Sequence, residues 1–313
     1  MRILVLGAGG TGGYFGGRLA QAGVDVTFLV RPARAAQLAE SGLVIRSPLG
    51  HASLPVRHLT AQQLPEQAAA QPFDLVMLSC KAYDLDTAVE AIAPAMGEGT
   101  ALLPILNGLR HYAVLDARFG AERVLGGLCH ISVAKAADGE VHHLGKLALL
   151  TFGERSGDPH SPRCRALAGD LTRAGIDHLL GDPIQHEQWA KFALLAALAA
   201  GTCLMRASVG DIVAGEGGRE LMEGLYRECL AVADAEGWPV SASAQARALD
   251  MLTRPGSSLT ASMLRDLEAG QRIEGDHIVG DMLHRAQHLQ RPTPLLVVAW
   301  CHLQAYEARR RAG

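Results

Sequence analysis

The chain has 313 residues, enough for about two domains that each bury a core of their own, and too many for a small disulfide-stapled scaffold. Lys and Arg number 29 against 32 Asp and Glu, a net charge of −3, which offers no electrostatic footprint for nucleic acid or an anionic membrane. Hydrophobic residues make up 49% and charged residues 19%, a globular balance that excludes a largely disordered chain. In chain order, the first half alternates short β-rich runs with helical patterns, the signature of a parallel sheet covered by helices. Strands are expected at 3–6, 26–30, 75–78 and 101–104, with helices at 10–22 and 86–95. Residues 127–135 and 147–152, joined by a turn at Asp138-Gly139, read as antiparallel strands on the edge of that sheet. A helix at 161–174 and a strand at 176–180 close this half. From Asp182-Pro183 onward the pattern is helical throughout, so the expected division is a mostly parallel-sheet α/β domain over 1–182 and an all-helical domain over 183–313.

Six cysteines (Cys80, Cys129, Cys164, Cys203, Cys229 and Cys301) are scattered without a C-x-x-C pair, which predicts reduced thiols and a cytoplasmic location. The N-terminus lacks the basic head and long apolar stretch of a signal peptide. The most apolar run, 192–205, falls short of the ~20 residues a bilayer needs and predicts a buried helix rather than a membrane partner. His284 and His288 stand four apart on a helical pattern but lack a third ligand, so no metal is expected.

Gly7-Ala8-Gly9-Gly10-Thr11-Gly12 follows the first strand and opens the first helix, the context in which G-x-G-x-x-G binds a dinucleotide. Gly7 makes the tight turn, Gly9 lets the pyrophosphate approach the backbone, and Gly12 lets helix and strand pack closely. Free N–H groups at the helix start then face the anion. Where an NAD binder usually places Asp or Glu, about 20 residues on, the second strand here ends in Val30-Arg31-Pro32-Ala33-Arg34. No carboxylate stands there to repel a 2′-phosphate. Arg31 can make charge-assisted hydrogen bonds to it worth about 1.5–3 kcal/mol, which predicts NADP over NAD. The plainer alternative is that Arg31 and Arg34 are solvated loop charges.

The opening motif, Cys80-Lys81-Ala82-Tyr83-Asp84, Ile105-Leu106-Asn107-Gly108, Trp189-Ala190-Lys191-Phe192 and Ser262-Met263-Leu264-Arg265-Asp266 together resemble the 2-dehydropantoate 2-reductase (ketopantoate reductase) family, from residue 1 to about 305 and in the family's order. The resemblance implies a Rossmann domain followed by a helical one, substrate bound in the cleft between them, and NADPH delivering hydride to the ketone carbon of a small 2-oxo acid. It also implies Lys191 as proton donor. Independently, Lys191 is the only charged residue between Glu187 and Arg206 on a helix that turns wholly apolar. Desolvation there would pull an ammonium toward the range of a useful general acid, although a lysine at a helix edge can instead keep its head in water.

The same resemblance puts Glu274 at the active site and cofactor, Ser262 on the substrate carboxylate, Lys81 near the cofactor ribose, and the Asn107 amide on both nicotinamide ribose and substrate. From residues alone, Glu274 is a carboxylate comfortable near a helix start and Ser262 a helix-start residue. Asn107 sits after the fourth expected parallel strand, on the side where open α/β sheets bind ligands, though an asparagine beside glycine is also an ordinary turn.

The chain departs from the family pattern at Leu195, Ala199 and Leu259, where asparagines that bind the substrate's polar groups are usual. Lost matched hydrogen bonds reject a polar ligand by kcal/mol. The expected activity is therefore NADPH-dependent reduction of a 2-oxo acid, 2-dehydropantoate to pantoate of pantothenate biosynthesis in the first instance. The alternatives are a more apolar 2-oxo acid or ketone, and a non-catalytic NADP-binding regulator. The helical half offers a surface for a homodimer.

Overall fold

The structure, a computed structural model, describes residues 1–158 and 160–312. The chain divides into two compact units, Met1–Leu106 with His111–Gln185, and Asn107–Arg110 with His186–Gly313.

The strands of the first unit are β1 (Arg2–Leu6), β2 (Asp25–Leu29), β3 (Leu43–Arg46), β4 (Ala52–Leu54), β5 (Arg57–Leu59), β6 (Leu75–Leu78), β7 (Ala101–Pro104), β8 (Gly126–Lys135), β9 (Val141–Gly153) and β10 (Asp177–Leu180). Its helices are α1 (Gly10–Gln21), α2 (Pro32–Ser41), α3 (Leu64–Ala70), α4 (Leu85–Ile92), α5 (His111–Phe119) and α6 (Pro162–Arg173). One sheet runs β5-β2-β1-β6-β7 and is parallel throughout. β6, an inner strand, and β7, at the edge of this sheet, are short apolar runs buried at every residue, the pattern of a parallel sheet that is covered rather than exposed to water. Leu6 pairs with both Leu29 and Leu78, and Leu78 with Pro104, so the C-terminal ends of these strands lie level.

A second sheet has the order β10-β9-β3-β4, with β8 on β9. This corrects the expected place of residues 127–135 and 147–152. They do pair antiparallel, but in a sheet of their own, with β9 starting at Val141 and a register irregularity between Ile131 and Val133. The strand expected at 176–180 also joins this sheet, parallel to β9. Residues 31–74, in which no element was foreseen, hold three strands of three or four residues and two helices. Segments that short carry too little periodicity to register in the sequence.

Helix α1 packs on β1 and β2 of one sheet and on β3, β8 and β9 of the other, and every residue from Gly12 to Leu19 is buried. The sequence makes room with glycine pairs at helical spacing. A Cβ at Gly16 would lie 2.9 Å from the Phe28 ring, and one at Gly12 2.5 Å from the Gly7 carbonyl oxygen, toward the parallel sheet. A Cβ at Gly13 would lie 2.8 Å from Val141, and one at Gly17 2.7 Å from Leu43 and Ile45, toward the second sheet.

The second unit is helical: α7 (Ile184–Met205, its first two residues in the first unit), α8 (Val209–Ala214), α9 (Gly218–Ala235), α10 (Ala242–Thr253), α11 (Ser262–Glu268), a π-helical turn at Asp276–Gly280, α12 (Asp281–His288) and α13 (Pro294–Ala312). Among the described residues no strand follows Leu180. Ser208 and Asp211 form a capping box on α8, and Ser241 caps α10. At 22 residues α7 is longer than the apolar run suggested and passes a length test for a membrane span, yet 67% of its apolar window is buried within the protein. Its fully buried alanines 193, 196, 197, 199 and 200 enter a core that includes Met222, Leu225, Cys229 and Met282. The first unit has a separate core around Ile3, Val5, Phe28, Leu75 and Phe152.

On an exposed helix, Gly→Ala stabilises by about 1 kcal/mol. At Gly16 the sign reverses, because the added methyl meets the immobile Phe28 ring: Gly16→Ala costs about 1–3 kcal/mol, read as a lower Tm in a thermal melt.

Candidate active site

The glycine loop lies at the C-terminal end of β1. Gly7 has φ +87°, a backbone state that glycine alone adopts freely, and its N–H donates to the Leu29 carbonyl at 2.9 Å. Ser79, just past β6, donates its hydroxyl to the Leu6 carbonyl at 2.9 Å and closes the floor under Gly12. Gly9 differs from its neighbours. Its φ of −85° suits any residue, and a Cβ placed on it would meet nothing within 4 Å. Neither backbone nor packing asks for glycine there. Gly9 is also the N-cap of α1 without a side-chain cap, so open space lies before the unsatisfied N–H groups of the first turn. This is the space that a pyrophosphate fits, and Gly7, Ala8, Gly9, Gly10, Thr11 and Gly12 are the residues that would hold it.

Arg31 follows β2 directly before α2. Its side chain is 81% exposed, and its guanidinium lies 3.2 Å from the carboxylate of Asp84. The expectation that no carboxylate stands near this arginine is thereby corrected: the fold brings one from beyond β6. Arg34 behaves differently. It is half-buried, donates from Nε to the Ala8 carbonyl at 3.2 Å and from NH2 to the Gly139 carbonyl at 2.8 Å, and so ties the glycine loop to the β8–β9 turn. Burial lowers its pKa from the ordinary guanidinium value. Lys81, half-buried, precedes the 3₁₀ turn Ala82–Asp84 at the same strand-end level.

In the second unit, Lys191 donates from Nζ to Asn107 Oδ1 at 3.1 Å. Both side chains belong to half-buried residues. Asn107 follows the fifth strand of the parallel sheet in chain order, not the fourth, because β5 had gone unseen. The turn that carries it is tightly seated: Gly108 has φ +77°, and a Cβ there would lie 2.6 Å from the His277 carbonyl oxygen. His277 belongs to the π-helical turn, and that turn is pinned again by Arg110, which reaches Asp276 at 2.5 Å. Burial, and then the Arg110 charge, push the His277 imidazole below its ordinary pKa. Glu274 precedes the turn and is only 6% exposed, with its carbonyl accepting from the N–H groups of His277 and Ile278. Ser262 is the first residue of α11 and half-buried.

The three positions that lack the usual asparagines are apolar in their surroundings as well. Leu195 and Leu259 pack on the helical core and Ala199 is completely buried in it. Lys191, Leu195 and Ala199 follow at intervals of four along α7, on one stripe of its surface.

The family model for ketopantoate reductase PanE/ApbA matches residues 3–157, and that for its C-terminal part matches residues 183–307. The chain belongs to the ketopantoate reductase family. It is 38% identical over 310 residues to a Bacillus subtilis protein named uncharacterized oxidoreductase YkpB, covering 99% of this chain and 100% of that one. The 2-dehydropantoate 2-reductase of Mesorhizobium japonicum is 28% identical, covering 95% and 94%. The crystal structure of the 2-dehydropantoate 2-reductase of Geobacter metallireducens superposes with a TM-score of 0.87 at 30% identity, covering 97% and 99%. Membership makes the chain an NADP-dependent oxidoreductase, and the open ground before Gly9 accords with a dinucleotide.

Fold and cofactor binding separate at Gly9. Asp is a better N-cap than Gly and suits the helix dipole, so Gly9→Asp keeps or raises the Tm. The same carboxylate repels the pyrophosphate, and NADPH affinity measured by nucleotide fluorescence falls by at least about 100-fold.

Proposed function

We propose that this protein reduces a 2-oxo acid to the 2-hydroxy acid with NADPH, with Lys191 as the proton donor. Carbonyl reduction needs a hydride at carbon and a proton at oxygen. A bound nicotinamide supplies the hydride. The observation that carries the assignment is the Lys191–Asn107 hydrogen bond, which takes one of the three N–H donors of the ammonium and fixes the direction of the others. Lys191 Nζ gives its proton to the carbonyl oxygen as the C–O double bond becomes a single bond, and solvent restores the proton afterwards. Ser262 and the Asn107 amide supply donors for the substrate carboxylate. Glu274, held by its backbone against the π-helical turn, is the acidic group for cofactor and substrate hydroxyls. Gly7 to Gly12, Arg31 and Lys81 hold the nucleotide.

Family membership supports 2-dehydropantoate as the first candidate substrate, and with it a role in pantothenate biosynthesis. One specific observation favours a second reading within the same chemistry. Leu195 stands a helical turn beyond Lys191, and with Ala199 and Leu259 it replaces amides by apolar surface. Such a face prefers a 2-oxo acid with a hydrocarbon side chain over one bearing a hydroxyl.

Two measurements test these assignments. Lys191→Ala lowers kcat/KM for the best 2-oxo acid by about 10²–10⁴-fold while the Kd for NADPH stays within a factor of two or three. A variant with unchanged turnover removes Lys191 from the mechanism, and wild-type protein that binds NADPH but turns over no oxo acid is a regulator. For the substrate, a kcat/KM panel compares 2-dehydropantoate with branched and aromatic 2-oxo acids. Leu195→Asn restores an amide beside Lys191 and shifts the ratio toward 2-dehydropantoate by about three- to tenfold, the range of one neutral hydrogen bond.

A further inference from the structure

Arg31 and Asp84 are 53 residues apart in sequence and meet only because β2 and β6 flank β1. Their pairing is unexpected for two reasons. Asp84 is the N-cap of α4, a position where an aspartate ordinarily accepts a hydrogen bond from the first turn, yet its side chain makes no such bond. It turns to the guanidinium instead, at 3.2 Å, with 38% of the carboxylate side chain and 81% of the arginine side chain exposed. An ion pair so open to water adds little to stability, so the fold gains almost nothing from the arrangement.

We propose that Asp84 sets the choice between NADPH and NADH by sharing Arg31 with the ribose 2′ substituent. The proposal rests on the assignment of Arg31 to the nucleotide's 2′ end. A 2′-phosphate that engages this guanidinium comes up against the carboxylate already there and must displace it or accept its repulsion. A ribose 2′-hydroxyl meets no such penalty, because it donates to a carboxylate, as in dinucleotide folds that place an acid at this end. The acid here comes from the end of β6 instead of β2. The chain therefore uses both nucleotides, with a preference for NADPH compressed to about tenfold or less: removing one nearby negative charge from beside a phosphate of about −1.5 to −2 charges is worth about a factor of ten in water.

The test is equilibrium binding of NADPH, NADH and 2′,5′-ADP to the purified full chain, by nucleotide fluorescence or calorimetry and without substrate. Asp84→Asn keeps size and hydrogen bonding but removes the charge. It tightens NADPH and 2′,5′-ADP about tenfold and leaves NADH unchanged or weaker, so the NADPH:NADH affinity ratio rises about tenfold or more. Arg31→Ala weakens NADPH and 2′,5′-ADP and spares NADH. An Asp84→Asn ratio that stays constant or falls overturns the proposal, the falling case meaning that Asp84 props Arg31 for the phosphate. Arg31→Ala with unchanged 2′,5′-ADP affinity overturns it as well. Failure of the wild-type protein to bind any of the three nucleotides defeats the cofactor assignment itself, a result distinct from the others.

Discussion

The close confinement of α1 between two sheets governs the first unit. Five of its twelve residues are glycine, which by helix propensity alone disfavours the helix by about 1 kcal/mol for each. The helix nevertheless forms because its two glycine-lined faces admit β1 and β2 on one side and β3 and β9 on the other at distances no Cβ permits. Packing at that range gains dispersion contacts over the whole helix and removes apolar surface of both sheets from water. It also fixes where the helix begins. With Gly12 against the Gly7 carbonyl and Ser79, the first turn of α1 can only stand over the C-terminal end of β1. The phosphate loop inherits its position from the core.

The second unit uses the same device once more, on a smaller scale. Gly108 brings a turn against the backbone of the π-helical segment so closely that a side chain is excluded. That contact seats Asn107 where its oxygen meets the Lys191 ammonium. An ammonium on a helix this apolar needs a polar partner to offset lost hydration, and the Asn107 amide supplies one.

Much of this was legible in the residues. A glycine fingerprint between a strand and a helix, a lone lysine on an apolar helix, and the absence of strand patterns after Leu180 are local signals, set within about ten residues. What escaped was set over longer distances. The partition of strands into two sheets depends on which edges pair, and β3, β4 and β5 are too short to show a period. Gly13 and Gly17 are needed by a second sheet that was not foreseen. For Arg34 a solvated loop charge was one of the readings, and the carbonyl it holds in the β8–β9 turn lies more than a hundred residues on. Nothing in the sequence neighbours of Asp84 announces Arg31.

Arg31 and Arg34 show how the base end of the nucleotide site divides its work. Arg34 donates to two backbone carbonyls and to Gln37 Oε1 and is half-buried, an arrangement that holds the glycine loop in shape. Arg31, three residues earlier, projects into water and meets the exposed carboxylate of Asp84, which can let go. Whether a dinucleotide binds is then decided by buried packing, which tolerates little change. Under the proposed role of Arg31 and Asp84, which dinucleotide binds is set by an exposed pair of opposite charges, where the interaction is weak, screened by salt and alterable by a single substitution without disturbing the core. Preference between cofactors can therefore drift in this fold while the grip on their common pyrophosphate stays fixed.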